Sequence, residues 1–458
     1  MSQREESPRI LSKPACDAIA RRAQSFARGG GDTKVDLASW WAGELRWARN
    51  RVSLASDRRD VSLSVRRIIT GALGMATSNQ LDDASLEAVV RAAERAIGFA
   101  APTFQDIVAP PPAFEYPQTA IWSDATYDFA AEARGELARA LIEPAEAKGM
   151  LSAGYMEVRA LAGAWATEVG PFYAQQTQAQ CSITVRDPEG TGSGWAGLSS
   201  YDWRKIDAMA LAQRALQKCL DSRNPVALEP GRYTVILEPQ AVHELVKLVV
   251  DALGQPSSTG PFFLGYDHAL RLARWKLGLK LVDQRVTIGH DPMAPNLGVV
   301  PFAIEHDRPV PVRPMNWIEG GVLTRFNSER AATLAEQNDN LGYPYTGAYR
   351  LSGGAATVDE MIKTTKRGLL VTRFSNVHTI DEASLLATGL TRDGLWLIEN
   401  GRITKPVKNL RFTESPLFVL NSLEQLGEPV PVFSPGVPAV VPPLKARDFS
   451  FTSMIDAI

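Results

Sequence analysis

His243 and Glu244 are the residues of this 458-residue chain that most resemble a piece of catalytic machinery. On a helix, H-E-x-x-H sets two imidazoles one turn apart on one face, where both can bind one metal ion while the glutamate works on a bound water. Four residues beyond His243 stands Lys247, whose protonated ammonium cannot coordinate, and the next position is Leu248, which has no donor. Val242, Leu245, Val246, Val249 and Leu253 form the apolar stripe of the expected helix, so His243 is expected off that stripe, at a polar position.

The remaining imidazoles are His268, His290, His306 and His378. Glu305-His306-Asp307 packs three donors together, but strand alternation would send the middle one to the opposite face. His290-Asp291-Pro292 reads as a turn, and His378, between Val377 and Thr379, as a structural strand position. A Ser/His/Asp triad finds no G-x-S-x-G elbow to support it. Gly192-Ser-Gly194-Trp-Ala-Gly197 satisfies G-x-G-x-x-G, yet a dinucleotide site needs that loop between a strand and a helix of a parallel unit. Leu198-Ser-Ser-Tyr intervenes here and the preceding segment reads as antiparallel, so the run is expected to be a glycine-rich turn. From the residues alone, no active site emerges.

The elements that would position these residues fall into three parts. Residues 1–101 read as an α+β segment: a helix over Pro14–Ala27 stopped by three glycines, strands from Lys34 to Thr77, and a helix over Ser85–Gly98 with Ser85 as its N-cap. Asp57-Arg58-Arg59-Asp60 is expected to be the polar turn before the alternating strand Val61–Val65. Residues 102–120, rich in proline, read as a linker. Residues 121–224 repeat the theme, with a helix over Tyr127–Lys148, strands at Met156–Trp165 and Cys181–Arg186, and a helix over Asp202–Asp221. Residues 225–458 read as a β-rich domain. A strand at Arg232–Leu237 leads into a helix opened by Pro239, and a second helix is expected over Tyr266–Leu277. Hairpins follow at Trp317–Leu323 and at Leu395–Ile403, where Asn400-Gly401 is the favoured type I′ pair. The fold class is α+β throughout.

Apolar residues at 45% and charged residues at 22% fit a globular chain with a sizeable core. Lys+Arg 49 against Asp+Glu 51 leaves −2, which gives no field for nucleic acid or an anionic membrane. Three scattered cysteines argue for a reducing compartment rather than a disulfide framework. With no apolar leader and no 18-residue apolar run, a cytoplasmic location is expected.

Arg232-Tyr-Thr-Val-Ile-Leu-Glu-Pro-Gln-Ala-Val-His-Glu-Leu resembles the strand and helix that open the last domain of the TldD/PmbA (TldD/TldE) family. Similar to that family, in order and spacing, are Val286–Pro292, Asn316–Leu323, Lys366–Leu370 and Gly394–Val407. The resemblance implies a zinc metallopeptidase of two related subunits that trims or matures small unfolded peptides inside a closed cavity. The D-type subunit carries H-E-x-x-x-H and a later cysteine as ligands; the E or PmbA type shares the fold without them. Leu237-Glu238-Pro239-Gln240-Ala241-Val242 resembles the E type, Leu248 stands where the second histidine is needed, and no cysteine follows Cys219. The resemblance therefore implies no catalytic residue, metal or cofactor in this chain, with zinc held by a TldD-type partner and a homodimer open to the chain alone. The alternative is a self-associating member that binds peptides, or a peptidase with an atypical site of His243, Glu244 and His378, the last replacing the cysteine.

Overall fold

Arg49 and Asn50, both in the left-handed region (φ 50° and 62°), turn the chain back on itself. They join β1 (Asp32–Ala48) to β2 (Arg51–Ile69) in one long antiparallel hairpin. The computed structural model describes residues 8–70, 72–97, 121–167, 170–254, 277–294, 296–297, 299–300, 302–305, 308–325 and 347–455. The linker expected at 102–120, nearly all of the helix expected over Tyr266–Leu277, His268, and His306-Asp307 lie outside the described residues.

Asp57-Arg58-Arg59-Asp60 is not a turn. It lies inside β2, opposite Gly43, Ala42, Trp41 and Trp40. Strand partners explain the difference: Arg58 pairs with Glu44, while Asp57 accepts from Trp41 Nε1 at 3.0 Å and Arg134 Nη2 at 2.5 Å. A short β3 (Ala72–Ser78) adds to β2, and α1 (Lys13–Ser25) and α2 (Asp83–Ile97) flank the three strands. The cap of α2 stands earlier than expected, because the Asp82 carboxylate accepts from the Ser85 amide at 3.0 Å.

The second pass runs through α3 (Asp124–Tyr127), α4 (Ala131–Glu146), β4 (Leu151–Thr167), β5 (Gly170–Arg186), β6 (Ser193–Ser200) and α5 (Ala208–Asp221). Antiparallel pairing of β1 with β4 fuses both passes into one sheet of order β3-β2-β1-β4-β5-β6. Alternation gives the sheet two unlike faces. One buries Val35, Leu37, Leu63 and Val65 against α1 and α2, and Trp41, Trp47, Met156 and Cys181 against α4 and α5. The opposite face carries Glu44, Glu157 and Gln180 in cross-strand register. All three cysteines are free and buried. Burial pushes the Cys16 and Cys219 thiols up to about 11 and Cys181 up to about 12, so they behave as apolar side chains.

The G-x-G-x-x-G run is strand rather than turn from Ser193 onward, because α5 crosses close above it. A Cβ on Gly194 would stand 2.1 Å from the Ala215 carbonyl oxygen and 2.5 Å from the Cys219 nitrogen. Gly194→Ala should therefore cost about 2 kcal/mol in urea unfolding, as overpacked interiors do. An unchanged midpoint would contradict this contact.

The last part begins with β7 (Gly231–Leu237) and α6 (Pro239–Gly254). β8 (Ile288–His290), the ribbon β9 (Phe302–Glu305) and β10 (Arg308–Pro311), then β11 (Met315–Glu319), β12 (Val322–Leu323) and β13 (Tyr349–Leu351) follow. After α7 (Val358–Lys363) come β14 (Arg367–Asp381), β15 (Leu386–Glu399), β16 (Arg402–Pro406) and β17 (Leu410–Glu414). α8 (Pro416–Asn421), β18 (Leu423–Leu426), β19 (Val430–Pro431), β20 (Ala439–Val441) and β21 (Leu444–Met454) complete it. Strands β14-β7-β21-β17-β15 pair in that order, and β15 pairs back with β14, closing a five-stranded ring. A second sheet, β12-β11-β8-β13-β20-β19, lies beyond α6. One apolar cluster joins ring, helix and second sheet, with Phe374, Phe412 and Phe449 in ring contact at 4.6–5.7 Å. Both expected hairpins form, with Asn400-Gly401 (φ 50°, 78°) and Gly320-Gly321 (φ 55°, 79°) at their turns. The architecture is α+β, an antiparallel sheet with helices followed by a β-rich domain.

Candidate functional site

Helix α6 carries the His243-Glu244 pair, and its setting decides what that pair can do. Pro239 suits the first helical turn, where its missing N–H is not needed. The Glu238 amide donates to Val371 O at 3.0 Å and its carboxylate pairs with Lys218 at 2.5 Å, anchoring the helix start to β14 and α5. The second sheet and ring cover most of the helix circumference. His243 is consequently buried, 6% exposed, and not at a polar surface position. Its Nδ1 lies 2.7 Å from the Tyr349 hydroxyl, the two rings lying nearly parallel at 11° with centroids 5.9 Å apart. Burial, reinforced by the Lys247 charge, lowers the imidazole pKa to about 4, so the ring is neutral near pH 7. Lys247 itself is exposed and paired with Asp251.

Glu244 turns toward the junction between the two halves of the molecule. Gln240 Nε2 donates to its Oε1 at 3.3 Å, and the Phe374 main-chain amide also faces the carboxylate. Burial pushes this carboxyl up to about 7, against the pull of the Arg373 charge and the Gln240 bond. The Gln240 amide also bridges to the main chain of Phe433, donating to its carbonyl and accepting from its N–H, both at 3.2 Å.

Arg373 on β14 pairs with Asp393 on β15, Nη2 to Oδ2 at 2.6 Å and Nε to Oδ2 at 2.8 Å. Asp393 is 1% exposed, holds φ +56°, and takes the hydroxyl of Ser193 from β6. The Arg373 guanidinium lies 5.0 Å from the centroid of Trp195, whose ring meets Phe433 edge-on. A charged, buried seam thus bolts the N-terminal sheet to the ring of strands. Sequence reading missed Tyr349, Gln240, Arg373 and Asp393; the single local signal was Asp393-Gly394, a turn dipeptide inside a strand pattern.

The other candidates do not join this cluster. His378 lies exposed on β14 at a bulge, its Nδ1 3.0 Å from the Asn376 carbonyl oxygen, whereas His243 is sealed against Tyr349. His290 is buried at the end of β8 rather than in a turn, with Nε2 2.7 Å from Arg313 O. Among the described residues, no three His, Cys, Asp or Glu side chains converge as a ligand set.

Residues 230–453 match the PmbA/TldA metallopeptidase C-terminal domain and residues 42–98 match PmbA/TldA metallopeptidase domain 1. The chain belongs to the TldD/PmbA family. Three solved structures share its fold. A candidate modulator of a DNA gyrase from Thermotoga maritima aligns with TM-score 0.79 and 15% identity over 95% of this chain and 99% of that one. TldE from Thermococcus kodakarensis aligns with TM-score 0.76 and 16% identity over 96% and 100%. A candidate modulator of DNA gyrase from Bacteroides thetaiotaomicron aligns with TM-score 0.79 and 18% identity over 97% and 100%. No curated protein matches the chain. No helix among the described residues is long and apolar enough to cross a membrane.

Proposed function

We propose that this chain is the metal-free, TldE-like subunit of a two-subunit peptidase that cleaves or matures small unfolded peptides, with zinc held by a TldD-type partner bearing H-E-x-x-x-H. The observation that carries the reading is the setting of His243: its Nδ1 faces the Tyr349 hydroxyl, and the next turn offers only an ion-paired Lys247 and an apolar Leu248. These residues do not fit a zinc ion, which takes several preorganised N, S or O donors. On this reading Glu244 and His243 serve packing and the junction, and no step passes through a metal here. The subunit contributes shape and orientation in the cytoplasm, while its partner contributes the reactive site.

Peptide cleavage by the chain alone, by a TldD-type subunit alone and by the mixture tests this. Cleavage should require the mixture, and charge substitutions at a crosslink-mapped interface should lower it far more than His243→Ala. Chelator-sensitive cleavage by the purified chain alone would favour an atypical site of its own. Loss of turnover on Glu244→Gln, with the assembled pair intact, would give this chain a chemical role and end the scaffold reading.

A further inference from the structure

Three arginines gather where the N-terminal sheet meets the ring of strands. Pairing of β14 with β15 sets Arg373 directly opposite Arg392, an arrangement of like charges that destabilises a sheet unless each finds a partner. The third, Arg186, ends β5 and stands opposite Ser193 on β6. Cys181, Ile183 and Val185 turn to the apolar core under the helices, so alternation puts Arg186 on the other face, with Ser193 and Trp195. The Ser193 hydroxyl donates to Asp393, the residue after Arg392, and the Arg373 guanidinium lies 5.0 Å from the Trp195 centroid. Two contacts therefore bring the ends of β5 and β6 to the Arg373–Arg392 pair.

The charges do not balance there. Asp393 is already taken by Arg373 and Ser193. Asp187, next in the chain to Arg186, turns into its own loop and accepts from the Thr191 hydroxyl at 2.5 Å. Glu244, which also feels the Arg373 and Asp393 charges, is driven toward its neutral form by burial. Arg186 is exposed and Arg392 half-buried, and among the described residues neither guanidinium has a hydrogen bond or an ion pair. Burial lowers the Arg392 pKa; the Asp393 charge opposes this, and the Arg186 and Arg373 charges add to it.

A carboxylate ligand answers this surplus. Guanidinium forks hold a planar carboxylate through charge-assisted hydrogen bonds, roughly twice as strong as neutral ones. Arg186 and Arg392 both reach solvent, so a ligand can meet them without displacing protein. Arg373 and Asp393 satisfy each other and form the fixed backing. A neutral amide would gain less here, and an ammonium would be repelled.

We propose that Arg186 and Arg392 form a carboxylate subsite at this junction, taking the C-terminal carboxylate or an acidic side chain of a peptide. The choice of a peptide as carrier rests on the proposed function; the carboxylate chemistry does not. Such a subsite would orient an unfolded chain by a charge it carries and leave most of its sequence unread.

The test uses the full chain alone and an N-acetylated Ala/Ser decapeptide in three forms: free C-terminal acid, C-terminal amide, and amide with one central glutamate. Affinity is measured by calorimetry at low salt. A carboxylate-bearing form should bind about tenfold tighter than the plain amide, the gain expected for one charge-assisted hydrogen bond. Arg186→Gln and Arg392→Gln should each erase that preference and leave the plain amide unchanged. Arg21→Gln, at an exposed position on α1, should keep it, which separates a local site from general charge. Preference for the free acid alone assigns the site to the chain end; equal preference for the glutamate form assigns it to either carboxylate. Equal affinity of all three peptides, a preference that survives both substitutions, or no binding at millimolar peptide would overturn the subsite. The two proposals fail separately. If the preference appears but no mixture cleaves, the subunit reading falls and the subsite stands. If the mixture cleaves acid and amide peptides with one KM, unchanged in Arg392→Gln, the subsite falls alone.

Discussion

Asp393→Ala should lower unfolding free energy by about 3 to 5 kcal/mol, the cost of removing one partner from a buried ion pair. Asp393 is 1% exposed and accepts from both Arg373 and Ser193, so its loss strands a guanidinium and a hydroxyl at the seam. Alanine also fits poorly at φ +56°, where asparagine and aspartate are better tolerated. Asp393→Asn should therefore retain the backbone and the Ser193 contact and cost clearly less. Urea titration of the two variants measures the difference. Equal, small losses would show that the seam does not depend on this ion pair.

The helix pair His243-Glu244 should give two opposed pH slopes. The Glu244 carboxyl rises from 4.5 to about 7 on folding, so the folded chain holds the extra proton between those values. Its contribution is fully present below about pH 4.5 and is lost as pH rises through 7. The His243 imidazole falls from 6.5 to about 4, so the unfolded chain holds the extra proton. Its contribution is present above 6.5 and lost as pH falls through 4. Between pH 4.5 and 6.5 the two nearly cancel. Glu244→Gln should leave stability rising with pH across that window, and His243→Leu should leave it falling, each by about 1 to 3 kcal/mol. Unfolding midpoints from pH 4.5 to 7 read both signs. A slope unchanged by either substitution would place both groups in ordinary solvent.

Much of the fold could be read locally because local signals and long-range partners agreed. Asn400-Gly401 and Gly320-Gly321 specify their turns through backbone conformation alone. The two helix-flanked strand segments each carry their own pattern, although nothing local announced that β1 and β4 would fuse them into one sheet. Misreadings occurred where a distant residue supplied the partner. Asp57–Asp60 is polar enough for a turn, but Glu44, Trp41 and Arg134 satisfy the first two of its charges within a strand. His243 looked like a surface position because Tyr349, 106 residues away, completes its burial. Asp393-Gly394 signalled only a turn, because Ser193, the partner of Asp393 across the seam, lies 200 residues earlier. The motif Gly192–Gly197 shows the converse: a matching pattern whose Gly192 and Gly194 answer to helix packing, not phosphate.

The central claim is that this chain works as the metal-free member of a pair, and its zinc content tests that most directly. The full chain, purified without chelator in zinc-containing buffer and desalted, should carry no stoichiometric zinc by elemental analysis, while a TldD-type subunit treated identically should carry about one ion per chain, as a preorganised ligand set predicts. About one zinc per copy of this chain, lost on His243→Ala, would contradict the account.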